Sequence, residues 1–159
     1  MSFDEGRPKA ILIAVTRASH LGLRRLFAQC NNYLQEIDAA EKIFSVAEAE
    51  LTAANCHSLL AVQDTKAAGC VILRDQFHFA EIKKLFVAAS HLGLGIGRAL
   101  MAKAEALAGE IGLRELKLKT GAALAEASAL YRAMGFRECP AFGTYPKTGI
   151  SLFMGKRLF

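Results

Sequence analysis

Three alternating glycines, Gly93, Gly95 and Gly97, form the segment of this chain best suited to hold a ligand. Glycine lets the backbone come close to a bound group. After them Leu100, Met101, Ala104, Leu107, Ala108 and Ile111 recur at helical spacing. The first amides of a helix have no intrahelical partner, and its dipole adds positive character there. A glycine turn opening a helix is therefore suited to phosphate. A P-loop would need Lys and Ser or Thr after the last glycine, but Arg98 and Ala99 follow Gly97. A dinucleotide fingerprint would need a third glycine at Arg98 or Leu100, counting from Gly93 or Gly95. A turn that only reverses the chain is the plain alternative.

Other chemistries find less support. His20, His57, His78 and His91 show no metal-ligand spacing, and no metal site is expected. No G-x-S-x-G nucleophile elbow occurs. Cys30, Cys56, Cys70 and Cys139 lie far apart without a C-x-x-C pair, and read as reduced thiols packed like small apolar residues.

The elements that must position the turn follow from the rest of the chain. Its 159 residues suit one domain spanning 1–159. A hydrophobic fraction of 53% against 22% charged predicts a folded core. No apolar run reaches the roughly 20 residues of a membrane helix. The start carries Asp4 and Glu5 where a signal peptide would be basic, so a cytoplasmic protein is expected. The net charge of +5 favours an anionic partner. Its basic residues are spread along the chain, which argues against nucleic acid and fits a cofactor with several phosphates.

Ala10–Thr16 reads as a strand, and Leu23, Leu26, Phe27, Cys30 and Leu34 as one helix face after a Ser19 cap. A second helical face runs from Ile43 to Ala54. Ser58–Val62, Gly69–Arg74 and Phe79–Val87 read as a three-strand meander, turning at Asp64-Thr65-Lys66 and Asp75-Gln76. After the glycine turn and its helix come a strand at Leu113–Thr120, a helix at Ala125–Met134 ended by Gly135, and a strand at Ile150–Leu158. The order β-α-α-β-β-β-α-β-α-β predicts a mixed α+β sandwich, not a doubly wound sheet.

Two stretches carry a family resemblance. Glu81-Ile82-Lys83-Lys84-Leu85-Phe86-Val87 followed by Leu92-Gly93-Leu94-Gly95-Ile96-Gly97-Arg98-Ala99 resembles the acetyl-CoA-binding motif of the GNAT (Gcn5-related N-acetyltransferase) family. Leu130-Tyr131-Arg132-Ala133-Met134-Gly135-Phe136 is similar to that family's later L-Y-x-x-x-G-F motif. The order of elements matches over nearly the whole chain. The resemblance implies a twisted, mostly antiparallel sheet flanked by helices, and acetyl transfer from acetyl-CoA to an amine by direct attack. A non-catalytic CoA or acyl-CoA sensor on the same fold is the alternative.

The resemblance also implies roles. Cofactor contacts would fall on Phe86, Val87, Leu92, Gly93, Leu94, Gly95, Ile96, Gly97, Arg98, Ala99 and Tyr131. The family's leading Arg or Gln falls at Leu92, so the grip should come mainly from the backbone amides of Leu94 to Ala99, with charge from Arg98 and His91. Leu124 stands where many members carry Asn. The amide of Val87 would serve the carbonyl oxygen. Tyr131 would reach the CoA sulfur, and a phenol, which ordinarily titrates near pH ~10, can donate to a leaving thiolate. Glu81 would act as the base. The acceptor would be a small-molecule, peptide or protein amine, lined by candidates Tyr33, Glu36, Asp38, Phe142 and Tyr145; a homodimer is common in such proteins.

Overall fold

The computed structural model describes residues 10–37, 52–121, 125–145, 149 and 151–159. Strand β1 (Ile11–Thr16) leads to helix α1 (Leu21–Ile37), whose Leu23, Leu26 and Phe27 are buried. Most of the predicted second helix lies outside the described residues, as do Asp38, Leu124 and the side chains of Tyr33 and Glu36.

Strands β2 (Cys56–Gln63) and β3 (Lys66–Asp75) form a hairpin. Its two-residue loop, Asp64-Thr65, has positive φ at both positions (49° and 65°), the requirement of a turn that follows strand twist. Asp tolerates this; Thr, being β-branched, is strained there.

The predicted third strand is two strands. β4 (Ala80–Ile82) and β5 (Phe86–Val87) both pair with β3 antiparallel. Leu73 faces Ile82 and Cys70 faces Phe86, so Val71 and Ile72 stand opposite three residues, Lys83, Lys84 and Leu85. This extra residue is a β-bulge, which bends a strand and re-aims its side chains.

Helix α2 (Ile96–Glu110), strand β6 (Glu115–Gly121), helix α3 (Ala125–Ala133), a short β7 (Arg137–Glu138) and β8 (Ser151–Arg157) complete the order. The sheet runs β1-β2-β3-β4-β6-β8-β7, antiparallel except for β4 against β6. The short β7 was not among the expected strands; it is an exposed charged pair that borrows the edge of β8.

Each face of the sheet is covered. Val71, Leu73, Ile82, Leu116, Leu118 and Met154 pack on Ile96, Leu100, Met101 and Ala104 of α2 and on Tyr131 of α3. The opposite face puts Leu60, Cys70 and Ile72 against α1. No described helix is long and apolar enough to cross a membrane.

Candidate active site

The sheet opens where the bulge begins. β4 and β6 pair only through Ala80–Ile82 and Leu116–Leu118. Beyond that point β5 stays with β3, while Lys119, Thr120 and Gly121 stay with β8. Two strand edges therefore diverge. Ala88 N–H donates to the Ala68 carbonyl at 2.8 Å. Alternation along an extended chain then turns the amide of Val87 away from β3, toward the opening.

The glycine turn lies at the end of this strand. Gly93 and Gly95 have φ of 74° and 78°, and a Cβ on either would meet nothing within 4 Å. They are needed for their backbone conformation and leave open space in front of it. Gly95 caps α2, and the first intrahelical bond is Ala99 N–H to the Gly95 carbonyl. The amides of Ile96, Gly97 and Arg98 precede that bond, so the helix offers them no partner. A negatively charged, phosphate-bearing group fits such a cradle. Leu92 and Leu94 are 65% and 53% exposed, and Arg98 is exposed, whereas the Ile96 side chain is core. Ile96 can therefore serve a ligand only through its backbone. Gly97 lets three elements meet: its Cβ position is 3.4 Å from Leu130 of α3 and 3.7 Å from Val87 of β5.

Tyr131 is held by the way α3 ends. Gly135 has φ of 92°, Phe136 N–H donates to the Tyr131 carbonyl, and Gly135 N–H donates to the Arg132 carbonyl. This is a Schellman cap, in which the residue after the glycine also packs back on the helix. Here the Phe136 ring meets the Tyr131 ring edge-on, with centroids 5.8 Å apart. The L-Y-x-x-x-G-F pattern is thus a helix stop that clamps its own tyrosine. Burial, then the Cys30 thiol, push the Tyr131 phenol up to about 12.

Glu81 lies on the other face of the sheet from Tyr131. It is 2% exposed, not a solvated strand end. Tyr145 donates to its Oε1 at 2.8 Å, and Lys83 Nζ stands 3.2 Å from the same oxygen. Lys83 also donates to the Tyr145 hydroxyl. Burial pushes the Glu81 carboxyl above the usual carboxylate range, against smaller downward pulls from Lys83, Arg74 and Lys119. Around this group Phe142 packs edge-on against Phe79, Tyr145 and Phe153. Lys117 Nζ lies over the Phe79 ring and Lys119 Nζ over the Tyr145 ring.

The structure therefore puts Phe86 and Val87 on one edge of an opening with the turn at its end, Tyr131 on α3, whose Leu130 packs on Gly97 of α2, and Glu81 on the strand entering it. Lys83 and Tyr145 complete the carboxylate's surroundings. Lys83 was not among the expected site residues, although strand alternation alone puts it on the Glu81 face. All four cysteines are free, and burial raises the pKa of the Cys30 and Cys70 thiols, which makes both poor nucleophiles. Among the described residues no three potential ligands cluster as a metal site.

Comparison with known proteins points the same way. Residues 21–136 match the family model described as Acetyltransferase (GNAT) family. The chain is 31% identical over 150 residues to a protein named IAA acetyltransferase from Azospirillum brasilense, covering 92% of this chain and 98% of that one. It is 33% identical over 101 residues to YsnE of Bacillus subtilis, named an uncharacterized N-acetyltransferase, covering 62% and 67%. The PaiA N-acetyltransferase of Thermoplasma acidophilum, solved in complex with coenzyme A, shares the fold with a TM-score of 0.76 at 19% identity, covering 93% and 99%.

Proposed function

This chain belongs to the GNAT acetyltransferase family and is an acetyl-CoA-dependent N-acetyltransferase; from that premise we propose which of its residues carry the reaction and what kind of amine it takes. Acetyl-CoA supplies the acyl group on a thioester and a thiolate that can leave. The amides at the start of α2, opened by Gly93 and Gly95, hold the pyrophosphate, with Arg98 and Ala99 at the same helix end. Leu92 and Leu94 contribute backbone and apolar surface. Phe86 and Val87 offer a strand edge to the pantetheine arm, and the Val87 N–H stabilises the carbonyl oxygen as it gains charge. Glu81 accepts the proton of the attacking amine, and the Tyr131 Oη donates a proton to the departing sulfur. The amine attacks the thioester directly, and burial disfavours the Cys30 and Cys70 thiolates that an acyl-enzyme on either would need.

The observation that carries this reading is the opening between β5 and β6 beside the first amides of α2, with Tyr131 and Glu81 on opposite faces of the same sheet. Calorimetric titration with acetyl-CoA tests it. Wild-type protein should bind, and Gly95→Glu should abolish binding by placing bulk and negative charge at the pyrophosphate. Equal affinity in the two would overturn the cradle.

The acceptor is a small amine that also bears an anionic group on an apolar body. Lys83, Lys117 and Lys119 surround Glu81 together with Phe79, Phe142, Tyr145 and Phe153. This wall disfavours a second positive charge and welcomes a negative one. A panel of phenylalanine, phenylalaninamide and phenethylamine reads the preference. Phenylalanine should exceed phenethylamine about tenfold or more in kcat/KM, the effect of one charge-assisted hydrogen bond; the reverse order would overturn the assignment.

A further inference from the structure

We propose that Tyr145 is a positioning residue for acetyl transfer: its hydroxyl, itself taking a hydrogen bond from Lys83, holds the Glu81 carboxylate ionised and in one orientation. The inference rests on the reading of Glu81 as the base.

The geometry is specific to the hydroxyl. Tyr145 Oη lies 2.8 Å from Glu81 Oε1 and 3.4 Å from Oε2, so it leans on one oxygen. Lys83 donates to the same hydroxyl and stands 3.2 Å from the same Oε1, so the three groups close a triangle in which the phenolic hydrogen is left for the carboxylate. The ring is fixed as well. Phe142 meets it edge-on at 5.8 Å, Phe153 lies 6.1 Å away, and Lys83 and Lys119 sit over it at 4.7 Å and 5.3 Å.

Such a residue answers a need of the chemistry. A buried carboxylate accepts a proton readily, but burial also leaves it already protonated at moderate pH. The groups facing Glu81 are Lys83 beyond β4, Arg74 on β3, Lys117 and Lys119 on β6, and Tyr145 before β8. The lysines and Arg74 supply charge. Tyr145 is the neutral donor, and it comes from the loop leading to β8, on the acceptor side. It therefore sets which carboxylate oxygen remains available to an incoming amine.

The test is a carbon-13 NMR titration of glutamate side-chain carboxyls, with Glu81→Gln identifying the resonance, followed by pH profiles of kcat/KM on the amine panel. In Tyr145→Phe the Glu81 titration and the acid limb of kcat/KM should both move up by about one pH unit, since a donor to the ionised form is gone. Acetyl-CoA affinity and Tm should stay near wild type. Lys83→Met, the second variant, should move the titration in the same direction. An unmoved titration in a folded Tyr145→Phe protein would overturn the positioning role. Full activity in Glu81→Gln would instead overturn the base on which it rests.

Discussion

As the proposed acid, Tyr131 has to keep its proton until a thiolate needs it, and its burial favours that. Burial raises its pKa from an ordinary value near 10 to about 12, so the phenol stays protonated through the neutral and mildly alkaline range. Activity should show little alkaline loss from this group below about pH 11, one unit under that value. Tyr131→Phe is expected to lower kcat by about 10²-fold, the lower end for a lost proton donor. Its acetyl-CoA affinity, read by calorimetry, should change by no more than about twofold. The same shift has a stability consequence. Between pH 10 and 12 the folded chain binds this proton more tightly than the unfolded chain, so stability falls as pH rises through that window. Denaturant melts of Tyr131→Phe at pH 10 and 11 should show a shallower fall than wild type. For Glu81, the proposed base, the raised carboxyl pKa predicts an acid limb of the rate above the ordinary carboxylate range.

At the scale of the element, the end of α3 shows what a local motif can specify. Gly135 is left-handed, and a Cβ there would make only ordinary contact with Lys156 at 3.5 Å. The cost of Gly135→Ala is therefore conformational, about 1–2 kcal/mol, or a Tm lower by roughly 2–8 °C for a chain of this size. Asn tolerates the left-handed region, so Gly135→Asn should cost less than Gly135→Ala in the same thermal melt. An equal cost would locate the penalty in packing instead. These features are legible in sequence because they are local: Gly93, Gly95 and Gly135 all carry positive φ, and each was readable as a turn or a stop. The break within Phe79–Val87 was not. An apolar run reads as one strand, and only its register against β3, distant in sequence, divides it. Burial of Glu81 was hidden for the same reason. Followed by two lysines, it looks solvated, and the phenol that covers it lies 64 residues away.

At the scale of the molecule, the sheet is a partition with a gap. In the proposed reaction Tyr131 would work from the helix side of α2 and α3, and Glu81 from the side of α1 and the aromatic wall. Only the divergence of β5 from β6 would let both address one bond. That divergence depends on counting. Arg74 faces Glu81 and Cys70 faces Phe86, so Glu81 and Phe86 share a face although five positions apart, an odd interval that regular pleating would separate. Deleting Lys84 would shorten the interval to four and remove the bulge, so Phe86 would stay opposite Cys70 while β4 ran straight into β5 without the bend that parts β5 from β6. A folded deletion variant should then lose acetyl-CoA binding in the same calorimetric titration, whereas Lys84→Ala, which keeps the count, should retain it. As far as the strand edge is concerned, Lys83–Leu85 can accordingly exchange letters but not gain or lose one. An in-frame indel of a single codon there does what no missense change at those three sites can do.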